Sequence, residues 1–280
     1  MGLLASFNQI SDKFSFHYTT EKLKKTPRLC NHESHNQFEI FYLIDGQIKY
    51  YIEGEEYLVN KGDVLFVSPN EVHSIEILGG ENYDRIVVMF DLAKITQALS
   101  VEDVTFDGGF LLGGQGFRVI PNELLQTTRI KDIMLDMTKQ KDKRIQPLYV
   151  LSKIFQLILE LEKIFSRDTE GSFPLASDPL VQKAIAYINQ NISTPLTLDQ
   201  IASAMFVSKS SLCHKFAKSM RISVNRYVTI KKIYYADTLI KQGVGAIEAS
   251  LAVGYNQYTT FYHNYRKILG TSPTGREKVE

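Results

Sequence analysis

The feature that most constrains this sequence of 280 residues is a helical pattern that occurs twice near its C-terminal end. In the first unit, Thr197 can cap a short helix, TLDQIASAM, and after a tight turn Ser208 can cap the polar helix SKSSLCHKFAKSM. In the second unit, IEASLAV and QYTTFYHNYRKIL flank a Gly254-Tyr255-Asn256 turn. A short helix, a turn and a second helix form a helix-turn-helix. The sequence therefore predicts an all-α region with two such motifs, joined by the long helix VNRYVTIKKIYYADTLIKQG.

Charge separates the same region from the rest of the chain. The whole sequence is nearly neutral, with 32 Lys and Arg against 31 Asp and Glu. Residues 178–280 nevertheless hold 13 basic against six acidic residues, whereas the preceding residues hold 19 against 25. This distribution indicates a region that binds a polyanion, attached to an acidic region with a different task. Because the second helix of a helix-turn-helix fits the major groove, duplex DNA is the expected polyanion.

Residues 36–92 show a different pattern, made of short segments rich in Ile, Val, Phe and Tyr. These segments predict β-strands: FEIFYLI, IKYYIEG, EYLV, DVLFVSP, HSIEIL and RIVVMFD. Asp45-Gly46, Glu53-Gly54 and Lys61-Gly62-Asp63 separate several of them, as hairpin turns do. Paired glycines predict one further hairpin within residues 100–120. The spacing favours an antiparallel sandwich or a small barrel.

Two amphipathic helices are expected between residues 121 and 165. The second, LYVLSKIFQLILELEKIF, has a wider apolar face than one packing partner needs. It either lies against the barrel or gives part of that face to a dimer interface. Residues 166–178 are polar and contain Gly and Pro, which is typical of an exposed linker. We therefore expect an α+β multidomain chain: a β-barrel at 1–120, a helical dimerisation segment at 121–165, the linker, and an all-α domain at 179–280.

Composition argues against several other classes of protein. The two cysteines, Cys30 and Cys213, match neither a zinc spacing nor a disulfide framework. The sequence has no apolar run of the roughly 18 residues that a membrane span needs. Its N-terminal residues lack the basic flank and apolar core of a signal peptide. A cytoplasmic protein without a membrane partner is expected.

The C-terminal region resembles the AraC/XylS family of bacterial transcription regulators. The resemblance is carried by PLTLDQIASAMFVSKSSLCHKFAKS, residues 227–236, VGYNQYTTFYHNYRKILGTSP and Arg276. It covers nearly all of residues 180–276 and depends on many fixed spacings. The resemblance implies that both helix-turn-helix motifs read adjacent segments of the major groove.

Several positions depart from the family pattern. Arg221 stands where the family usually has Gly, and Lys232 where it usually has Arg. In the second unit, small residues replace larger or different ones at Ala246, Ala249 and Ser250. Arg221 must then adopt a backbone conformation that Gly takes more easily, so we expect a looser turn there.

The family alignment exposes four side chains on the second helix of each motif. The expected base contacts are Lys209, Ser210, Cys213, His214, Tyr258, Thr259, Tyr262 and His263. Hydroxyl and imidazole groups can donate to a purine N7, but without Arg the set lacks bidentate guanine recognition, so a sequence preference that is modest or leans toward A·T is expected. The expected phosphate contacts are Lys215, Lys218, Arg226, Lys232, Arg266 and Lys267. The alternative for each base-contact residue is plain solvated helix surface.

The N-terminal sequence from His32 to Ser74 resembles the sensing domain of the same family, a cupin-type β-barrel. This resemblance is carried by the turns at Gly46, Gly54, Gly62-Asp63 and Pro69, followed by His73. It implies an interior pocket for one small effector. The expected effector-binding residues are Arg28, His35, Glu39, Tyr42, Tyr51 and His73.

A metal ion is the alternative occupant of the barrel. Enzymatic cupins hold a metal with His and Glu, and His35, Glu39 and His73 stand near such positions. Glu33 and Glu71 depart from that ligand motif, so no metal is expected. The same groups can hydrogen-bond a polyol, with Tyr42 or Tyr51 against its apolar face, or can simply build the barrel.

The leading hypothesis is a ligand-responsive, sequence-specific DNA-binding regulator of transcription, without enzymatic activity or a cofactor. Its expected partners are operator DNA, a small effector for which the family favours a carbohydrate, a second copy of the chain, and RNA polymerase. One alternative is a metal-dependent cupin enzyme with an appended DNA-binding module. Another is a constitutive DNA-binding protein whose barrel is purely structural.

Overall fold

The structure is a computed structural model that describes residues 2–10, 13–23, 27–97, 118–140, 142–165 and 178–275. We call the described part of residues 2–165 the sheet region and residues 178–275 the helical region. The expected antiparallel β-structure followed by an all-α region is confirmed. Among the helices of these described residues, none has both the length and the apolar character needed to span a membrane.

The sheet region contains one antiparallel sheet and four helices within the described residues. The strands are β1 (Gly2–Ile10), β2 (Phe14–Lys22), β3 (Arg28–Leu29), β4 (Phe38–Ile52), β5 (Glu55–Asn60), β6 (Val64–Val67), β7 (His73–Phe90) and β8 (Val119–Ile120). The helices are α1 (Leu92–Gln97), α2 (Asn122–Leu125), α3 (Ile130–Asp136) and α4 (Gln146–Phe165). The strand order is β1-β2-β7-β4-β6-β8, with β3 paired to β7 and β5 to β4.

The two longest strands each join segments that the sequence separates. The predicted hairpin turn at Asp45-Gly46 is wrong, because β4 runs through it as a single strand of 15 residues. Its pairing with β7 shifts register between Leu43 and Ile48, which marks a bulge. Gly46 supplies the positive φ of 110° that this bulge needs. By contrast, the Glu53-Gly54 hairpin turn is confirmed between β4 and β5.

Strands β1 and β2 add an edge that the alternation after residue 36 does not predict. They pair with each other from Gly2↔Lys22 to Ile10↔Ser15. β2 also pairs with β7 from Phe14↔Phe90 to Lys22↔Asn82. Residues 14–22 therefore belong to the sheet itself.

The sheet carries a different apolar core on each face. One face, with Phe38, Ile40 and Ile86, packs against α3 and α4. α4 contributes buried side chains to this core: Val150, Ile154, Leu157, Ile158, Leu161 and Ile164. Each such side chain stabilises the fold by roughly 1.5–3 kcal/mol before entropy is subtracted. The opposite face, with Phe41 and Tyr50, forms a second core around a cavity.

The expected hairpin within residues 100–120 lies largely outside the described residues, apart from β8. The expected linker at 166–178 also lies outside them, except for Asp178. Asp178 caps the next helix by accepting a hydrogen bond from Leu180 N at 2.9 Å.

The helical region has two helix-turn-helix motifs, as predicted. Its helices are α5 (Pro179–Gln190), α6 (Leu198–Ala204), α7 (Lys209–Met220), α8 (Val224–Lys241), α9 (Ala246–Ala252) and α10 (Tyr258–Leu269). The predicted caps are confirmed: Thr197 forms a capping box with Gln200, and the Ser208 hydroxyl accepts from Ser211 N. Motif 1 (α6–α7) and motif 2 (α9–α10) have separate cores, centred on Phe216 and Phe261.

Two turns in motif 1 hold bulky residues in the left-handed region. Arg221, at the end of α7, has a φ of 59°, as its position in place of a family Gly requires. Phe206, in the turn between α6 and α7, has a φ of 55° and is 96% exposed. The corresponding turn of motif 2 contains Gly254, with a φ of 74°. A side chain at such a φ is strained unless its surroundings compensate.

Candidate functional sites: a polar cavity and two exposed recognition helices

The inner face of the sheet lines an open cavity of about 430 Å³. Its lining combines the apolar side chains of Phe41, Val87 and Met89 with a larger number of polar or charged side chains. The polar and ionisable lining residues include His17, Thr19, Arg28, Asn31, Glu33, Glu39, Tyr50, His73, Ser74, Tyr83 and Arg85. A concave site with convergent polar groups is the usual form of a small-molecule pocket.

Glu39 lies at the centre of a cluster of ionisable side chains in this cavity. His35 Nε2 donates to Glu39 Oε2 at 3.0 Å, and the Tyr50 hydroxyl donates to Glu39 Oε1 at 2.6 Å. Burial alone raises the pKa of Glu39, but the His35 hydrogen bond and the charges of His73 and His35 outweigh it and lower that pKa to about 2. Burial likewise opposes the charge on His35, yet its contacts with Glu39 raise the pKa of His35. Glu39 and His35 are therefore a buried ion pair.

His73 completes this cluster as a neutral group. Its Nε2 lies 3.8 Å from Glu39 Oε2, and its Nδ1 donates to Glu71 O at 3.0 Å. Burial lowers the pKa of His73 to about 4, despite the opposing charge of Glu39. At neutral pH the Nε2 atom therefore presents a lone pair to the cluster.

The cluster meets the requirements of a divalent-ion site in ligand type and spacing. One ligand atom each from His35, Glu39 and His73 lies within 4.8 Å of the others. Both histidines also have Nδ1 next to a backbone carbonyl, of Gln37 and Glu71, as metal-ligating histidines do. The cluster also satisfies its hydrogen bonds without a metal ion when His35 is protonated on both ring nitrogens and pairs with Glu39.

The cavity has buried hydroxyl groups that lack a hydrogen-bond partner among the described residues. They are the Tyr83 hydroxyl and Ser74 Oγ. Tyr83 is 1% exposed and its ring lies 4.2 Å from the Arg85 guanidinium. Burial raises the pKa of the Tyr83 hydroxyl well above its usual range, so it remains a hydrogen-bond donor. Because buried polar groups are normally satisfied, these two atoms indicate where a bound molecule or water would interact.

The structure places four of the six expected effector-binding residues at or beside the cavity. Arg28, Glu39 and His73 line it, and His35 reaches it through Glu39. Tyr42 instead lies on the opposite face, in the core shared with α3 and α4. Tyr51 also points away from the cavity, and its hydroxyl donates to Glu76 Oε2 at 2.6 Å.

The β4 bulge explains this correction. Before the bulge, Glu39 and Phe41 face the cavity; after it, Tyr50 does. The bulge interrupts the alternation of side chains along β4. Odd-numbered residues therefore face the cavity before the bulge, and even-numbered residues face it after the bulge. Tyr50 and Tyr83 line the cavity but were not among the effector-binding residues expected from the sequence. Tyr50 could have been predicted if Asp45-Gly46 had been interpreted as a bulge instead of a hairpin turn.

The second candidate site is the exposed surface of α7 and α10. On α7, Lys209, Ser210 and His214 are exposed and Cys213 is half-buried. On α10, Thr259 and His263 are exposed. Tyr258 and Tyr262 are half-buried, and Tyr258 packs against the motif 2 core. Both helices thus offer polar side chains to a partner.

Most of the expected phosphate contacts also lie on the surface. Lys215, Lys218, Arg266 and Lys267 are exposed, and Arg226 is half-buried. Lys232 is the exception, because it is 7% exposed and its Nζ donates to Thr194 O at 2.8 Å. Burial lowers the pKa of Lys232. The expected role of Lys232 as a phosphate contact is corrected: it ties α8 to the loop before α6.

Comparison with known proteins finds two family profiles that match this chain. The profile of the AraC-like ligand binding domain matches residues 27–158, and that of a helix-turn-helix domain matches residues 201–276. An uncharacterised HTH-type transcriptional regulator of Bacillus subtilis, YbfI, is 26% identical over 79% of this chain and 78% of its own. The lactose operon transcription activator of Staphylococcus xylosus is 24% identical over 50% of this chain and 52% of its own.

Among solved structures, a fatty-acid-bound ToxT from Vibrio cholerae is similar at 16% identity, with a TM-score of 0.43 and 95% of both chains covered. The two matched profiles together span most of the chain. The first covers the region with the cavity, and the second covers α7 and α10. This chain belongs to the AraC/XylS family of transcription regulators.

Proposed function

We propose that the chain senses a small polar molecule in the sheet-region cavity and couples its binding to operator recognition by motifs 1 and 2. In this proposal, residues 1–120 form the sensing domain, 121–165 the dimerisation segment, 166–178 the linker and 179–280 the DNA-binding domain. The observation that carries the proposal is the cavity with unsatisfied buried donors at Tyr83 and Ser74.

The chemistry of the cavity favours an uncharged polyhydroxyl effector, such as a sugar. The lining arginines already pair with Glu21, Arg85 at 3.2 Å and Arg28 at 3.5 Å, and the lining carboxylate Glu39 pairs with His35. An anionic effector would have to draw an arginine away from Glu21. A sugar hydroxyl can instead accept from Tyr83 and exchange hydrogen bonds with Ser74, while the ring of Phe41 offers an apolar surface.

A thermal-shift screen of the full chain against sugars, sugar acids, bile acids and amino acids tests the sensing part. Binding to the folded state raises the melting temperature. Tyr83→Phe should abolish most of the shift caused by a hit, because it removes the unsatisfied hydroxyl. The matched control is Tyr57→Phe, since the Tyr57 hydroxyl donates to Glu55 at 2.6 Å and Tyr57 does not line the cavity. The proposal fails if no compound shifts the wild type, or if both variants respond alike.

DNA recognition is tested on an operator selected from a random pool by the wild-type chain. His214 is exposed on α7 and is proposed to read one base. His214→Ala should relax the preference at one position of the operator, by about 1–3 kcal/mol of discrimination. Lys218→Ala should instead weaken binding to operator and random DNA by the same factor. Equal losses on both DNAs for His214→Ala would contradict its proposed role.

We further propose that α4 mediates dimerisation. One face of α4 is buried against the sheet, but Leu148 and Leu159 are 70% and 60% exposed. Phe155, half-buried, lies between them on the same side of the helix. An exposed apolar stripe on an otherwise packed helix is typical of a self-association surface.

A further inference from the structure

The β4–β5 turn is buried, although hairpin turns are usually exposed. Glu53 at this turn is 8% exposed. A β-carbon at Gly54 would lie 3.1 Å from Met220 Sδ and 3.3 Å from Val181 Cγ1, both in the helical region. The turn therefore fits closely between α5 and the end of α7.

Glu53 is held by hydrogen bonds from both regions. The Tyr227 hydroxyl donates to Glu53 Oε2 at 2.5 Å, and Lys231 Nζ donates to Oε1 at 3.3 Å. Val72 N donates to the same Oε1 at 2.8 Å. Gln182 Nε2 donates to the Glu53 carbonyl at 2.8 Å. A buried carboxylate with partners of this kind is stable only while they remain in place.

A second contact lies beside the turn. The Arg221 guanidinium lies 5.3 Å from the centre of the Tyr51 ring. His32 Nε2 is 2.8 Å from Met220 O, at the end of α7. Arg221 thus compensates for its strained φ with a cation–π contact that the family's usual Gly could not make. We call the Glu53 turn, Tyr51, Val72, His32 and their helical-region partners the latch.

The latch is continuous with the effector cavity along the backbone. Three cavity residues are direct chain neighbours of three latch residues: Tyr50 precedes Tyr51, His73 follows Val72, and Glu33 follows His32. Glu33 and His73 also pair with each other through N–H···O bonds of 2.9 Å in both directions. If ligand binding shifts these cavity residues, the neighbouring residues of the latch must therefore shift with them.

The hydrogen bonds and the ring contact of the latch reach motif 1 and the helices that flank it, and none of those described above reaches α9 or α10. Its helical-region partners lie on α5, at the end of α7 and on α8. It also withdraws two cations from the basic region: Lys231 contacts Glu53 and Asn70 O, and Arg221 contacts Tyr51. A cation held by the acidic sheet region contributes less to attraction of DNA phosphates.

We propose that the latch is an autoinhibitory contact that lowers the DNA affinity of motif 1, and that effector binding in the cavity releases it. This inference rests on the proposed function for its effector arm, whereas its inhibitory arm requires no effector. Motif 2 is then the ungated half of the DNA-binding surface.

The test uses the full chain without effector. Tyr227→Phe removes the hydroxyl but keeps the ring against Phe216, with the two ring centres 5.3 Å apart. Glu53→Gln removes the negative charge that this hydroxyl contacts. Tyr265→Phe is the matched control, since the buried Tyr265 hydroxyl donates to Asp237 within the helical region at 2.6 Å. Circular dichroism and thermal unfolding confirm that each variant is folded.

Docking and DNA binding are then measured separately. Because a hydrogen bond to a charged group is worth about tenfold or more in an equilibrium constant, both latch variants should speed hydrogen exchange at residues 51–56 and 72 by about tenfold. Both should also bind the selected operator up to about tenfold more tightly, with stronger footprint protection over the motif 1 segment. Tyr265→Phe should change neither the exchange at these residues nor the footprint.

The proposal is overturned if exchange rises but operator affinity stays the same or falls, or if exchange does not change. If the wild-type chain selects no operator, the proposed DNA binding fails, while the exchange data still report whether the latch holds. If release occurs but no compound in the screen reproduces it, the inhibitory arm stands and the effector arm fails.

Discussion

The hydroxyl of Tyr227 on α8 donates to the carboxylate of Glu53, 174 positions earlier in the chain. The ring of the same tyrosine packs edge-on against Phe216 in the motif 1 core. One side chain therefore belongs both to the fold of the DNA-binding motif and to its contact with the sensing region. Substitutions here must separate these two roles, which is why hydroxyl removal is more informative than truncation.

Relief of backbone strain at Phe206 should stabilise motif 1. Phe206→Gly should raise the free energy of unfolding by about 1 kcal/mol, because Gly takes the φ of 55° without a steric cost. Urea denaturation of the full chain measures this change. Phe206→Ala keeps a β-carbon and hence the strain, so it should bring no comparable gain; equal stabilisation by both variants would rule out strain as the cause.

The stability of the sheet region should fall between pH 6.5 and about pH 4 because of His73. Burial lowers the pKa of His73 to about 4, so the unfolded chain binds a proton in this range before the folded chain does. The stability contributed by neutral His73 is present above pH 6.5 and is lost as the pH falls, by about 3 kcal/mol in total. His73→Gln should flatten this part of the profile measured by chemical denaturation. His263→Gln, at an exposed site, is the control and should leave the profile as in the wild type.

Two lysines of the basic region should behave differently in DNA binding. Lys218 is exposed, and Lys218→Ala should reduce the slope of log affinity against log salt by about 1. Lys232→Met should leave that slope unchanged. It should instead lower the stability of the helical region by about 1–3 kcal/mol, because Thr194 O loses its buried donor. If Lys232→Met reduced the slope of log affinity against log salt, Lys232 would be a phosphate contact after all.

The exposed stripe of α4 should control self-association. Leu148→Asp and Leu159→Asp should each shift the chain toward the monomer in sedimentation, since a charge in an apolar interface is costly. Leu251→Asp serves as the control, because Leu251 on α9 is 62% exposed but lies in motif 2. A monomeric wild type, or equal effects of all three substitutions, would contradict dimerisation through α4.

The cavity should bind effector without a metal ion at the His35–Glu39–His73 cluster. The proton on His35 already satisfies Glu39 Oε2, and Tyr50 satisfies Oε1. Elemental analysis of the purified chain should therefore find no stoichiometric transition metal, and a chelator should leave any effector-induced thermal shift unchanged. One ion per chain that is lost in both His35→Ala and His73→Ala would show that the cluster is a metal site.

The sequence by itself determined the local elements and their order. The caps at Thr197 and Ser208 and the spacing of apolar residues indicated both helix-turn-helix motifs, since capping and helical periodicity act within a few residues. Short β-branched and aromatic segments likewise indicated the sheet. The wide apolar face of α4 was visible for the same reason.

Tertiary structure decided which side chains share a site. The β4 bulge reversed the alternation, so Tyr50 faces the cavity while Tyr42 and Tyr51 do not. Lys232 is buried because its Nζ donates to the carbonyl of Thr194, 38 positions away. Glu53 is buried because its carboxylate accepts from Tyr227 on α8. Local patterns specify which residues can be buried, but a partner so distant in sequence is selected only when the chain folds and the desolvation of each polar group must be compensated.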